Sequence, residues 1–112
     1  MSICFLNDKY LEIQDAKISP LDRGFLFGDA IYEVIIALNK KPFELDAHIE
    51  RLKKNISKLK YSIDDQINFE EIVSEIISKN KNLNQVIYIQ ISRGTDQIRD
   101  HIPGNNLSPT IF

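Results

Sequence analysis

Arg51 is the first residue of this chain whose type and setting suggest a chemical role. Its guanidinium group carries a permanent charge on a planar fork that suits phosphate or carboxylate. On a helical wheel, His48, Arg51 and Asn55 form a polar stripe beside an apolar face, and Arg51 can reach a cleft from the edge of the core. The alternative is an arginine that extends along a helix margin into solvent, and the residues by themselves favour it.

Arg99 and His101 form a second candidate group, in a predicted loop. An arginine and a histidine two positions apart can converge on one carboxylate if the loop between them is curled. The alternative is a solvated loop pair with no ligand.

Tyr32 and Glu33 are polar residues inside an apolar strand. Polar groups in a core strand need hydrogen-bond partners. The segment alone favours a tyrosine with one satisfied hydrogen bond and a glutamate that faces solvent. The preceding polar and glycine residues are interpreted as architectural, with local ion pairing around Arg23; they are Asp22, Arg23, Gly24, Gly28 and Asp29.

The apolar periodicity predicts the elements that position these side chains. One helix begins with Asp46 as its N-cap, and a second begins at Asn68 with Glu71 as a capping-box partner. The predicted strands are Ile3–Leu6, Tyr10–Ile13, Ala30–Leu38 and Gln85–Ser92, with another apolar run from Pro109, while Ser19–Gly24 is predicted as loop. This order predicts the α+β class, in which two helices pack on one face of a mostly antiparallel sheet.

The composition is that of a soluble globular protein. The 112 residues predict one domain, and 43% are hydrophobic and 27% charged. A formal net charge of −2 argues against a nucleic-acid binder. No apolar run is long enough for a membrane span, and the N-terminus lacks the features of a signal peptide. With a single cysteine, Cys4, these features lead us to expect a cytoplasmic protein.

The motifs and their order resemble one family. A short strand pair is followed by an Asp-Arg-Gly loop, a Gly-Asp pair, a strand with Tyr-Glu, a helix with His-x-x-Arg-Leu and a strand ending Arg-Gly-Thr. Here these are residues 22–24, 28–29, 32–33, 48–52 and 93–95. Together they resemble the pyridoxal-phosphate-dependent class IV aminotransferases, which include D-amino-acid transaminase and branched-chain aminotransferase.

The resemblance implies a domain organisation and a cofactor. Residues 1–112 would form a single small N-terminal domain. The lysine that forms the Schiff base with pyridoxal 5′-phosphate would lie in a second, catalytic domain absent from this chain. No lysine here matches that lysine, so the chain is expected to be inactive alone. In the family the arginine of His-x-x-Arg-Leu contacts the cofactor phosphate, and this role falls to Arg51.

The resemblance also implies a substrate site. In D-amino-acid transaminases an Arg-x-His pair and the strand tyrosine bind the substrate carboxylate, and the pair reaches the active site of the neighbouring subunit. Arg99, His101 and Tyr32 map onto these roles. The expected activity is amino transfer between an amino acid, preferably a D-amino acid, and a 2-oxo acid in a homodimer. One departure is that three residues separate Thr95 from Arg99 where the family has two.

Other functions stay open at this point. Within the family, the alternatives are a branched-chain aminotransferase and an aminodeoxychorismate lyase. The alternative that is not an enzyme is a non-catalytic, stand-alone interaction module of the same fold. Two interpretations of the β-prone run at residues 109–112 remain. The run favours a chain that is expected to continue into a second domain over a short protein that ends with a complete strand.

Overall fold

The computed structural model describes residues 2–112, which form six strands, three α-helices and a single 3-10 turn at Ile13–Asp15. In chain order the strands and α-helices are β1 Ile3–Leu6, β2 Lys9–Glu12, α1 Arg23–Phe27, β3 Ala30–Leu38, β4 Lys41–Pro42, α2 Leu45–Leu59, α3 Phe69–Lys79, β5 Gln85–Ser92 and β6 Thr110–Ile111. The predicted α+β class is confirmed. Two elements of this set, α1 and the two-residue strand β4, were not predicted from the sequence as regular structure.

The antiparallel pair of β3 and β5 forms the centre of the larger sheet. Ala30 pairs with Ser92 at one end and Ala37 with Gln85 at the other. β4 and β6 flank this pair in the order β4-β3-β5-β6, and all pairings are antiparallel. β1 and β2 form a separate antiparallel hairpin.

The core lies between one face of this sheet and helices α2 and α3. Residues in a strand alternate between its two faces, so every second residue of β3 and β5 points to the helices. The fully buried side chains include Ile35, Ile91, Leu52 and Val73. The apolar stripes of both helices therefore pack on the same face of the sheet, as predicted.

The opposite face of the sheet is apolar and exposed. We call it the outer face; it consists of Tyr32, Val34, Ile36, Leu38, Val86 and Tyr88. A contiguous exposed apolar surface commonly marks a contact with another domain or subunit.

Two helix starts were predicted from the sequence, and one of them differs. Helix α2 begins at Leu45 after Glu44, whose φ of 55° is left-handed, so Asp46 lies in the first turn and is not the N-cap. A carboxylate there still interacts favourably with the helix dipole. Helix α3 is capped as predicted, because the Asn68 side chain accepts a hydrogen bond of 3.0 Å from the Glu71 amide.

The short helix α1 replaces the end of the predicted loop. The Asp22 carboxylate accepts a hydrogen bond of 2.8 Å from the Gly24 amide and caps the first turn. Gly28 ends the helix with φ +64°, a conformation that glycine adopts without steric cost. A five-residue helix is too short to produce a visible apolar period. No helix among residues 2–112 has both the length and the apolar character to span a membrane.

Leu52→Ala tests the packing of α2 on the sheet. Leu52 is 1% exposed, so we expect its truncation to lower the free energy of unfolding by about 2–5 kcal/mol. Leu59→Ala, at a 40% exposed position of the same helix, should cost less than about 1 kcal/mol. Denaturant unfolding of the two variants measures both values, and equal losses would contradict this packing.

Candidate functional site

Glu33, His48 and Arg51 meet between β3 and α2, and we call them the Glu33 cluster. Arg51 donates two hydrogen bonds to the Glu33 carboxylate, from Nε to Oε1 at 2.5 Å and from Nη2 to Oε2 at 2.7 Å. The His48 Nδ1 lies 2.9 Å from Oε2. His48 and Arg51 are three residues apart and so share one face of the helix. That face is directed at the strand.

The structure corrects the orientation expected for Glu33 and places Tyr32 on the opposite face of the strand. The Glu33 residue is 3% exposed and faces α2, whereas Tyr32 is 65% exposed on the outer face. Glu33 is therefore not the solvent-facing glutamate that the segment alone suggested. Tyr32 stacks on Tyr88 with ring centroids 5.8 Å apart.

The Glu33 cluster keeps its carboxylate ionised. The hydrogen bonds from Arg51 lower the pKa of Glu33 below its ordinary 4.5, burial opposes this change, and His48 adds to the lowering. The same pairing raises the pKa of Arg51. A charged guanidinium is thus fixed in direction by a buried carboxylate.

Arg51 retains an outward-facing donor group. Its side chain is 65% exposed although it is paired with Glu33. Glu33 engages Nε and Nη2, and within residues 2–112 the Nη1 group has no acceptor. An external anion can therefore bind this edge without breaking the ion pair.

A second cluster surrounds Asp29, directly before β3. The Asp29 Oδ2 accepts hydrogen bonds from Arg93 Nε at 2.6 Å and Arg23 Nε at 3.2 Å. The Tyr61 hydroxyl donates to Oδ1 at 2.9 Å. Burial acts to raise the pKa of Asp29, but these three hydrogen bonds outweigh it and hold the pKa below 3.8. The predicted ion pairing around Arg23 is present.

The loop pair Arg99 and His101 lies beside this cluster. Both side chains contact the Phe27 ring, with the Arg99 Cζ 4.9 Å and the His101 ring centroid 5.2 Å from the ring centre. Both residues are exposed to solvent. The loop is thus curled, and it brings the two candidate side chains together on one aromatic ring.

The structure separates Tyr32 from this pair. Tyr32 packs on Tyr88 of the outer face, whereas Arg99 and His101 pack on Phe27 of α1. Sequence reasoning missed Phe27, because no motif marks a ring that is used as a platform. It also missed Tyr61 and Arg93 as partners of Asp29, which are distant from it along the chain.

Comparison with solved structures defines the class of fold. The branched-chain amino acid aminotransferase of Escherichia coli superimposes with a TM-score of 0.84 at 19% identity, over 98% of this chain and 38% of that one. The T.th. branched-chain amino acid aminotransferase with pyridoxamine 5′-phosphate gives a TM-score of 0.83 at 21% identity, over 98% and 38%. At these identities the likeness shows the fold, which is that of the fold-type IV aminotransferases.

The sequence comparison gives the family. Residues 30–112 match the family described as amino-transferase class IV. The D-alanine aminotransferase of Staphylococcus epidermidis is 35% identical over 116 aligned residues, covering 100% of this chain and 40% of that protein. This chain belongs to the class IV aminotransferases, whose cofactor is pyridoxal 5′-phosphate. It spans 40% of the length of this curated relative.

The acid dependence of stability tests the Glu33 cluster. Because the pKa of Glu33 is lowered by folding, its contribution is complete above about pH 4.5 and is lost as the pH falls through the lower, folded-state value. We expect Glu33→Gln to flatten the fall in unfolding free energy that occurs as the pH is lowered below about 4.5.

Glu50→Gln is the matched control for this measurement, because Glu50 is an exposed glutamate on the same helix as Arg51. It should leave the acid dependence of the unfolding free energy nearly unchanged. Denaturant unfolding at a series of pH values provides the comparison. An unchanged slope in Glu33→Gln would contradict the cluster.

Proposed function

We propose that this chain is the small N-terminal domain of a pyridoxal-phosphate-dependent aminotransferase. The enzyme would move an amino group between an amino acid, preferably a D-amino acid, and a 2-oxo acid. The observation that carries the proposal is the Arg51 guanidinium, aligned by buried Glu33 with Nη1 left for an external anion. The 35% identity to a D-alanine aminotransferase supports the preference for D-amino acids.

The donor set of the Glu33 cluster fits a phosphate group. Arg51 would bind the cofactor phosphate through the Nη1 edge, while Glu33 holds the opposite edge of the guanidinium in place. His48 contacts Glu33 and so limits the movement of that carboxylate. When bound, the cofactor supplies an electron sink for the charge that develops during amino transfer.

Arg99 and His101 would bind the substrate carboxylate. Both residues are exposed, and both side chains pack on the Phe27 ring. One aromatic surface therefore positions the two groups that would contact the carboxylate. A guanidinium can bind a carboxylate through two parallel hydrogen bonds, and the imidazole can add a third. Tyr32, exposed on the outer face, would complete the substrate site from the other subunit of a homodimer.

The rest of the active site would come from a second domain. The chain spans 40% of the curated relative's length, which supports a separate domain carrying the Schiff-base lysine. The apolar outer face supports a contact with that domain or with the second subunit.

A branched-chain L-aminotransferase is the second candidate. Such an enzyme from Escherichia coli shares the fold with a TM-score of 0.84 at 19% identity, and the fold is common to both candidates. Amino transfer from D-alanine and from L-leucine to 2-oxoglutarate, measured with the full-length enzyme, separates the candidates. Faster turnover of L-leucine would overturn the preference for D-amino acids.

Substitution of the two exposed arginines tests the assigned roles. In the full-length enzyme, Arg51→Gln should weaken cofactor retention roughly tenfold or more, because a charged hydrogen bond to the phosphate is lost. Arg99→Gln should retain the cofactor and raise KM for the amino acid. Cofactor absorbance after dialysis and steady-state kinetics measure the two effects.

Two controls accompany these variants. Lys54→Gln removes an exposed charge from the same helix as Arg51 and should change neither quantity. The 112-residue chain alone should show no amino transfer. The assignment is wrong if Arg51→Gln retains its cofactor normally, or if Arg99→Gln loses cofactor with an unchanged KM.

Mixed dimers test whether Arg99 serves the neighbouring subunit. If it does, a dimer of one Arg51→Gln and one Arg99→Gln subunit has one site with both defects and one site with none. Co-expression of the two variants, with a different affinity tag on each, should therefore restore about half of the normal activity. Mixed dimers no more active than the single variants would show that Arg99 acts within its own subunit.

A further inference from the structure

We propose that Arg23 is a positioning residue that fixes the segment Arg99–His101 in the conformation that binds the substrate carboxylate. The inference rests on the proposed function, because it assigns a purpose to the conformation of that segment. It assigns a role to a buried residue whose three guanidinium nitrogens all bind within the protein. Three sets of contacts carry it.

The Arg23 guanidinium holds the backbone of the segment directly. Its Nη1 donates to the Asp100 carbonyl at 2.5 Å, and its Nη2 donates to the His101 carbonyl at 2.9 Å. Its Nε donates to Asp29, so all three nitrogens are engaged, and the residue is only 4% exposed. A planar fork with fixed donor directions can serve two successive carbonyls and a carboxylate together, which a single ammonium group cannot do.

Arg23 is itself held on a rigid part of the fold. Its amide donates to the Gly94 carbonyl at 2.9 Å, and its own carbonyl accepts from the Asp29 amide at 3.2 Å. The Asp29 carboxylate is fixed in turn by Arg93 and Tyr61. The position of the segment is therefore tied to the ends of β3 and β5.

The Phe27 ring fixes the side chains of the same segment. The Arg23 Cζ lies 4.6 Å and the Arg99 Cζ 4.9 Å from the centre of this ring, and the His101 ring is 5.2 Å away. Cations are attracted to aromatic faces at these separations. Phe27 and Arg23 both belong to α1, so one short helix holds the segment's backbone and its two functional side chains.

The other contacts of this loop close its base and do not attach the segment to the sheet. The Asp96 carboxylate accepts hydrogen bonds of 2.8 Å from the Gln97 and Gly104 amides. The Ile102 amide donates to the Asp100 side chain at 3.0 Å within the loop. Among residues 2–112, Arg23 is the side chain that hydrogen-bonds the Asp100 and His101 carbonyls.

Arg23→Lys is the variant that tests the proposal, because it keeps the charge and loses the fork. In the full-length enzyme, KM for both the amino acid and the 2-oxo acid should rise about tenfold, which corresponds to about 1.4 kcal/mol. Cofactor retention should stay normal. Both a positioning role and a merely structural role predict a loss of stability, but a merely structural role predicts no selective rise of KM.

Arg93→Lys is the matched control. Arg93 pairs with the same Asp29 oxygen, but its Nη1 donates to the Leu59 carbonyl and not to the loop. Lysine at this position keeps a cation beside Asp29, so the substitution should change KM by less than about twofold while lowering stability to a similar degree. An equal rise of KM in the two variants, or no rise in Arg23→Lys, would overturn the proposal.

A second measurement reports on the segment without using activity. The ¹⁵N heteronuclear NOE of residues 99–101 reports fast backbone motion. It should fall in Arg23→Lys and stay unchanged in Arg93→Lys. If Arg23→Lys does not fold, Asp29→Asn replaces it, since it keeps the shape of Asp29 but not the charge that orients Arg23.

The two measurements separate the proposal from the function on which it rests. If the unmodified full-length enzyme shows no amino transfer, the proposed function is wrong, and the backbone measurement still decides whether Arg23 fixes the segment. If the enzyme is active and the segment stays equally ordered without the Arg23 fork, the role of Arg23 is refuted and the function stands.

Discussion

The carboxylate of Asp29 is the contact on which the arrangement of the site depends. It accepts hydrogen bonds from two guanidinium groups and one phenol, which come from α1, from the residue after β5 and from the segment after α2. Burial alone would raise its pKa and favour the neutral acid, but the donors outweigh burial and keep it ionised. Burial and this same contact raise the pKa of Tyr61 further above neutral pH, where the phenol is already a hydrogen-bond donor. The ionised Asp29 carboxylate thus connects four parts of the chain.

Asp29 and Glu33 also set the direction of α2 along β3. They are four residues apart, so in an extended chain both side chains point to the same face, which here is the helix face. Glu33 pairs with Arg51 within α2, and Asp29 binds Tyr61 just beyond the end of α2. The helix therefore runs antiparallel to the strand, and polar contacts join the two elements at two points along the strand. Apolar packing supplies the affinity between the two elements, and these contacts fix their register.

The sequence predicted the features that leave a local or periodic signal. β3 and β5 have the predicted limits, and α3 begins after its predicted cap residue Asn68, because the apolar periods of these elements are long. The orientation of Glu33 was not predictable, since both faces of β3 are apolar and only the position of α2 decides which is inside. Ion pairing near Arg23 followed from its acidic neighbours. Its bonds to the Asp100 and His101 carbonyls did not, because backbone acceptors 77 and 78 positions away leave no mark in a sequence. The contact of Phe27 with Arg99 and His101 was also not predictable, because a phenylalanine in a short apolar run is usually assigned to the core.

Arg23 and Arg51 show how one residue type serves two purposes in the same domain. In both, Nε donates to a carboxylate at the helix face of the sheet. In Arg51, Nη2 donates a second hydrogen bond to the same carboxylate, and Nη1 faces outward. In Arg23, Nη1 and Nη2 instead donate to backbone carbonyls. The side chain of Arg51 is 65% exposed and that of Arg23 is 5% exposed. A guanidinium whose nitrogens are all engaged inside the protein has no free edge for a ligand. Arg51 can therefore bind an anion directly, while Arg23 can affect ligand binding only through the backbone that it holds.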